Sequence, residues 1–143
     1  MSASVELLAR VAYFAELEPD LLQLLAQQAQ RQTYRAEQVV FLEGEPSQGL
    51  YVVEQGWLKG SKFAESGREQ VLRYFGPGEA INEISLFLET PNPATVIALE
   101  ASTTWLLPRQ TLLTVMLEQP TFLLQLTQNL AKRLLYLVHV IED

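Results

Sequence analysis

The sequence predicts a mainly β chain with helices at both ends, and three observations carry that prediction. From Gln32 onward, short runs rich in Val, Tyr, Phe and Leu are separated by turn clusters at intervals of about 10 residues, the spacing of an antiparallel sandwich or barrel. Before Gln32 the apolar residues recur with a helical period. After Pro108 the period is helical again, and the segment opened by Pro120 carries a spaced apolar stripe to the end of the chain.

Taken in order, residues 5–13 and 20–30 read as helices, with Leu7, Leu8 and Val11, then Leu21, Leu24 and Leu25, on repeating faces. Pro19, flanked by Glu18 and Asp20, marks the second start, because proline suits the first helical position and acidic groups suit a helix N-terminus. The two form a helical pad over residues 1–31. Turn clusters follow at 43–49, 54–56, 65–67, 76–78 and 90–93, and strands are expected at 32–35, 38–42, 50–54, 57–63, 69–75, 94–99 and 103–107. The alternation of Leu50 and Val52, and of Val71 and Arg73, fits a sheet with one wet and one dry face.

Residues 109–117 read as a helix behind Pro108, and 120–143 as a longer one. The last helix has two apolar stripes. Leu123, Thr127, Leu130, Leu134, Leu137 and Ile141 are spaced 4-3-4-3-4, a coiled-coil seam with one polar position at Thr127. Leu124, Ala131, Leu135 and Val138 form the other, expected against the β layers. One stripe can pack within a protomer, but the second needs a partner, and a symmetric helix pair supplies it. A helix buried on both sides within one protomer is the alternative.

Composition narrows the function classes. The chain has 143 residues, 48% of them hydrophobic, enough for a real core in one domain. Ten Lys and Arg against 17 Asp and Glu give a net charge of −7, so no basic face for a phosphate backbone is expected, and this segment is not expected to bind DNA by itself. With no cysteine there is no disulfide, thiolate zinc site or cysteine-held cluster. His139 is the single histidine, too little for haem ligation or a cupin-type metal centre. No metal site and no catalytic constellation are expected, hence no enzyme. The start, Met1-Ser-Ala-Ser-Val-Glu, has neither a basic region nor a continuous apolar stretch. The apolar region from Thr121 to Ile141 is interrupted by Gln125, Gln128, Asn129, Lys132 and Arg133, so a cytoplasmic chain with no membrane partner is expected.

One stretch organises the rest. Gly76-Pro77-Gly78 makes a turn, Ile81-Asn82-Glu83 leads into a short apolar helical turn through Leu88, and a proline-flanked loop returns to Ala94-Thr95-Val96. A helix beginning beside such a turn aims unpaired N–H groups and a positive dipole end at its neighbour. The stretch resembles the phosphate-binding cassette of cyclic-nucleotide-binding domains. Together with Phe14-Ala-Glu-Leu17, Phe41-Leu-Glu-Gly-Glu45, Leu50-Tyr-Val-Val53, Gly56, Gly67-Arg-Glu69, Phe75-Gly-Pro-Gly78 and Leu106-Leu-Pro108, all in order, the chain resembles the N-terminal effector domain of CRP/FNR-type transcription regulators.

The resemblance implies an eight-stranded jelly-roll β-roll (a double-stranded β-helix) with N-terminal helices and a long C-terminal dimerisation helix. It sets a single domain over 1–143: pad 1–31, roll 32–108 with its cassette at 76–96, and helices 109–143 with the dimerisation helix at 120–143. It further implies a small-molecule effector, a cyclic nucleotide or another compound, and no other cofactor. The implied pocket gathers Ile81, Asn82, Glu83, Ile84, Ser85, Asn92, Ala94, Thr95, Arg133, Tyr136 and Leu137. Glu83 holds the place of the cassette carboxylate that binds a ribose hydroxyl, and Arg133 the helix position that ties it. The chain ends where the family's hinge and winged helix-turn-helix would begin.

Several positions depart from the family pattern. Asn92 stands where the cassette has its phosphate-binding arginine, so the charge-assisted fork is gone. Pro93 removes a backbone donor beside it. Leu137 and Val138 replace the hydroxyl pair that meets the base. Glu37 and Asn82 replace glycines; of non-glycine residues Asn best tolerates positive φ, so Asn82 is expected to keep the backbone shape. Lys59, Lys62, Arg68 and Arg73 read as solvated, though each could supply the charge Asn92 lacks. Trp57, Trp105, Tyr51 and Tyr74 read as packing, or as the walls of an aromatic pocket.

Overall fold

The computed structural model describes residues 3–142. Met1 and Ser2, part of the reading of the N-terminus, and Asp143, the last residue of the expected dimerisation helix, lie outside the described residues. Helix α1 (Val5–Ala9) is capped by Ser4, whose Oγ accepts the Leu7 N–H at 3.2 Å. The single helix expected over 5–13 breaks at Val11, which is extended, and a 3-10 turn (Ala12–Phe14) follows. Phe14 is thereby set against Phe122, ring centroids 5.5 Å apart, a partner too distant in the chain to leave a local signal. Helix α2 (Pro19–Gln28) starts on its proline and buries Leu22, Leu25 and Ala26.

Two four-stranded antiparallel sheets follow. One runs β1 (Gln30–Tyr34), β8 (Ser102–Pro108), β3 (Gly49–Gln55), β6 (Ala80–Ile81); the other runs β2 (Val39–Phe41), β7 (Thr95–Ala98), β4 (Leu58–Phe63), β5 (Glu69–Phe75). Neighbours far apart in sequence, in both sheets, are what a hairpin rolled onto itself produces, and the jelly-roll expectation holds. Strand β6 has no counterpart among the strands read from the residues. It has two residues, opposite Val52 and Tyr51, too few to show alternation.

The side-chain alternation serves two cores rather than one. Leu50 and Val52 of β3 pack with Trp105, Leu107, Leu25 and Leu112 beneath the helices, while Tyr51 and Val53 enter the space between the sheets with Phe41, Leu58, Val96 and Leu106. Strand β3 is therefore dry on both faces, which corrects the one-wet-face expectation for Leu50 and Val52. In the second sheet Gln70 to Tyr74 of β5 are all exposed, so both faces of that strand meet solvent and the one-wet-face expectation for Val71 and Arg73 is corrected as well.

Helix α4 (Arg109–Glu118) buries Leu112, Val115 and Met116. Helix α5 (Pro120–Glu142) is fastened to the body by Phe122 and Leu126, 1% and 0% exposed. Residues 131–141 are all exposed. The stripe Leu124, Ala131, Leu135 and Val138 thus does not lie against the β layers; the inward face is Phe122 and Leu126, continued by half-buried Asn129 and by Arg133, which is exposed but reaches Glu83, in steps of three and four residues. Of the other stripe, Leu130 is half-buried, and Leu123, Thr127, Leu134, Leu137 and Ile141 are exposed.

Candidate functional site

The cassette is built around two left-handed residues. Asn82 precedes helix α3 (Glu83–Leu88) at φ 82° and ψ 31°, and Glu89 ends it at φ 51°. Asn82 thus takes the glycine-like shape expected of it, and Glu37 does so at its own turn with φ 70°. The Asn82 amide is also a strut: Nδ2 donates to Asn92 Oδ1 at 2.9 Å and to Ser47 Oγ at 3.1 Å, and Oδ1 accepts from Ser85 Oγ at 3.1 Å. Two effects separate here. Asn82→Gly loses the side-chain bonds at about 1–2 kcal/mol, and Asn82→Ala adds about 1 kcal/mol more for placing a Cβ at positive φ. Urea unfolding should order stability as wild type, Asn82→Gly, Asn82→Ala.

Behind Asn82 the first turn of α3 sets Glu83 at the mouth of a cavity of about 170 Å³ between β5, β6, the cassette loop and α5. Glu83 is 7% exposed. Its Oε1 lies 2.9 Å from Arg133 Nη1, while Oε2 is buried with no hydrogen-bond partner among the described residues. A buried carboxylate oxygen without a donor is costly, and its neighbourhood is where a ligand bearing a hydroxyl or N–H would be welcome. The remaining walls are mostly apolar, among them Phe41, Leu72, Phe75 and Val96.

Of the residues expected in the pocket, Ile81, Asn82, Glu83, Ile84, Ala94 and Arg133 line this cavity. Ser85, Asn92 and Thr95 do not. Each is turned inward to satisfy another polar group, Ser85 on Asn82, Thr95 accepting the Glu43 N–H at 3.0 Å, and Asn92 donating to the Leu42 carbonyl at 3.2 Å. Asn92 is 4% exposed and bound at both ends of its amide, so it offers nothing to a phosphate in the cavity. Tyr136 and Leu137 stand on the exposed end of α5, beyond the reach of the cavity.

Of the four cations that could have supplied the charge Asn92 lacks, Arg73 lines the cassette cavity. Read as one of several solvated strand cations, it lines the cavity with its guanidinium 5.0 Å from the Phe75 ring centroid and Nη2 donating to Glu79 Oε2 at 2.8 Å. Glu79 Oε1 in turn accepts the Gly76 N–H at 2.9 Å, tying the arginine to the cassette turn. The available signal was parity: Arg73 shares a strand face with Phe75, immediately before Gly76. Lys59 pairs instead with Glu69 at 2.9 Å, and Lys62 lies 3.6 Å from Glu43. Trp105 is buried and donates to Glu54 at 2.8 Å, whereas Trp57 is half-exposed over Gly76.

Among the described residues there is no group of three or more metal-ligating side chains, and no helix is long and apolar enough to cross a membrane. Residues 31–119 match the cyclic nucleotide-binding domain family. The chain is 31% identical over 129 residues to a CRP-like cAMP-activated global transcriptional regulator of Mycobacterium tuberculosis, covering 90% of this chain and 58% of that protein. The sensor domain of the transcriptional regulator DNR from Pseudomonas aeruginosa superposes with a TM-score of 0.85 at 26% identity, over 96% of this chain and 93% of that one. The Catabolite Activator Protein of Thermus thermophilus superposes at 0.80 with 28% identity, over 92% and 62%. This chain therefore spans a little under three fifths of the curated regulator it matches.

Proposed function

The chain belongs to the cyclic nucleotide-binding domain family, and from that premise we propose that it is the ligand-sensing, dimerising regulatory part of a CRP/FNR-type transcription regulator. The effector sits in the cavity at Glu83 and is not held in the standard cyclic AMP manner. The observation that carries this is the unpartnered Oε2 of Glu83, a buried acceptor open to a ligand's hydroxyl or N–H. Its other oxygen is paired with Arg133 of α5, so a ligand that binds Glu83 also acts on the helix. Differential affinity for two settings of α5 would shift their populations, and the crossing of two such helices in a homodimer would orient DNA-binding domains carried on a separate part of the regulator.

Cyclic AMP itself should bind weakly. A charge-assisted bond to phosphate contributes about 1.5–3 kcal/mol, so its loss at Asn92 weakens binding roughly ten- to hundredfold relative to a domain with the cassette arginine. Calorimetry with cyclic AMP, cyclic GMP and 2-oxoglutarate, on wild type and Glu83→Gln, tests the reading. Saturable binding by one of the three, weakened at least tenfold in Glu83→Gln, supports it. A second reading is favoured by the small cavity and the existing Glu83–Arg133 pair: a stand-alone dimerisation module without a small-molecule ligand. Absence of heat from all three compounds favours that module.

A further inference from the structure

The roll has a second opening on the other side of Phe41. A cavity of about 450 Å³ lies between β1, β2 and the loop before β3, with Tyr51, Gln32, Gln48, Asn92 and Glu45 among its lining residues and Phe41 shared with the cassette cavity. Its size falls within the range of about 300–1,000 Å³ typical of small-molecule sites, which the cassette cavity does not reach. The cassette loop divides the two, with Asn92 facing this cavity and Pro93 and Ala94 facing the other.

The lining has a definite chemistry. Tyr51 is 3% exposed, its ring packed on Phe41 with centroids 5.3 Å apart, and among the described residues its hydroxyl has no hydrogen-bond partner. Burial, and secondarily the neighbouring Tyr34, push that hydroxyl up to about 12, so it stays protonated and can donate to an acceptor in the cavity. The amides of Gln32 and Gln48 offer donors and acceptors together, while Asn92 closes the wall with its own amide already bonded at both ends. Glu45 is the one charged side chain in the lining and disfavours an anion. We propose that this cavity is a second binding site, taking an uncharged flat compound with an amide-type edge, an acceptor beside a donor on an aromatic ring. Asn92 connects it to the cassette, since the same amide takes the Asn82 hydrogen bond that sets the start of α3.

Nicotinamide and benzamide serve as neutral probes and nicotinate as the charged control, read by side-chain amide signals in nitrogen-15 NMR of wild type and Tyr51→Phe, which keeps the ring and loses only the hydroxyl. The expected result is a saturable shift of the Asn92 and Asn82 amide signals with a neutral probe, weaker with nicotinate. Loss of one hydrogen bond in Tyr51→Phe should weaken binding about fivefold or more. The proposal is overturned by no saturable shift with either neutral probe, by equal affinity in Tyr51→Phe, or by backbone amide shifts centred on Glu83 and Arg73. The first two outcomes leave effector binding at Glu83, assayed separately, untouched, and the third would instead place the probe in the cassette cavity.

Discussion

Leu134→Glu with Leu137→Glu is expected to turn a dimer into a monomer without unfolding the β layers. Both leucines are exposed in the protomer, 64% and 53%, so its own core does not need them. In a helix pair each buried leucine contributes about 1.5–3 kcal/mol, and four are lost per dimer, which raises the dissociation constant by roughly 10⁴ or more before charge repulsion is added. Sedimentation should show half the wild-type mass while circular dichroism is unchanged. The paired control is Leu124→Glu with Leu135→Glu on the other exposed stripe, which should leave the dimer largely in place. A wild type that sediments as a monomer, or a control that dissociates while the seam variant does not, defeats the proposed interface.

The second large effect concerns how α5 is held to the body. Leu126 is fully buried beside Phe122, and Leu126→Ala should cost about 3 kcal/mol through lost transfer energy and the cavity left behind. The Glu83–Arg133 pair is the other tether. Arg133 is half-exposed, so Arg133→Met, which leaves Glu83 buried and without a donor, should cost only about 1–2 kcal/mol. Thermal unfolding should therefore rank Leu126→Ala well below Arg133→Met. The reverse order would mean that the ion pair, not the apolar contact, sets the helix.

Much of this was legible residue by residue, because it depends on chain neighbours. Regular turn clusters foretold the strands, Pro19 and Pro120 opened their helices, and an asparagine in a glycine position foretold the left-handed backbone at Asn82. The place of Arg133 beside Glu83 came from family resemblance, since no spacing rule links residues 83 and 133.

What the sequence by itself determined was the order of the helices and of every strand but β6, and the turn-helix-loop stretch around Asn82. Tertiary structure alone decided which way those groups face: Asn92 inward onto Asn82, Arg73 onto the cavity, β3 dry on both sides, and α5 inward by Phe122 and Leu126. The reason is that periodicity assigns residues to a shared face but does not name the surface opposite it. That surface is set by packing between segments far apart in the chain.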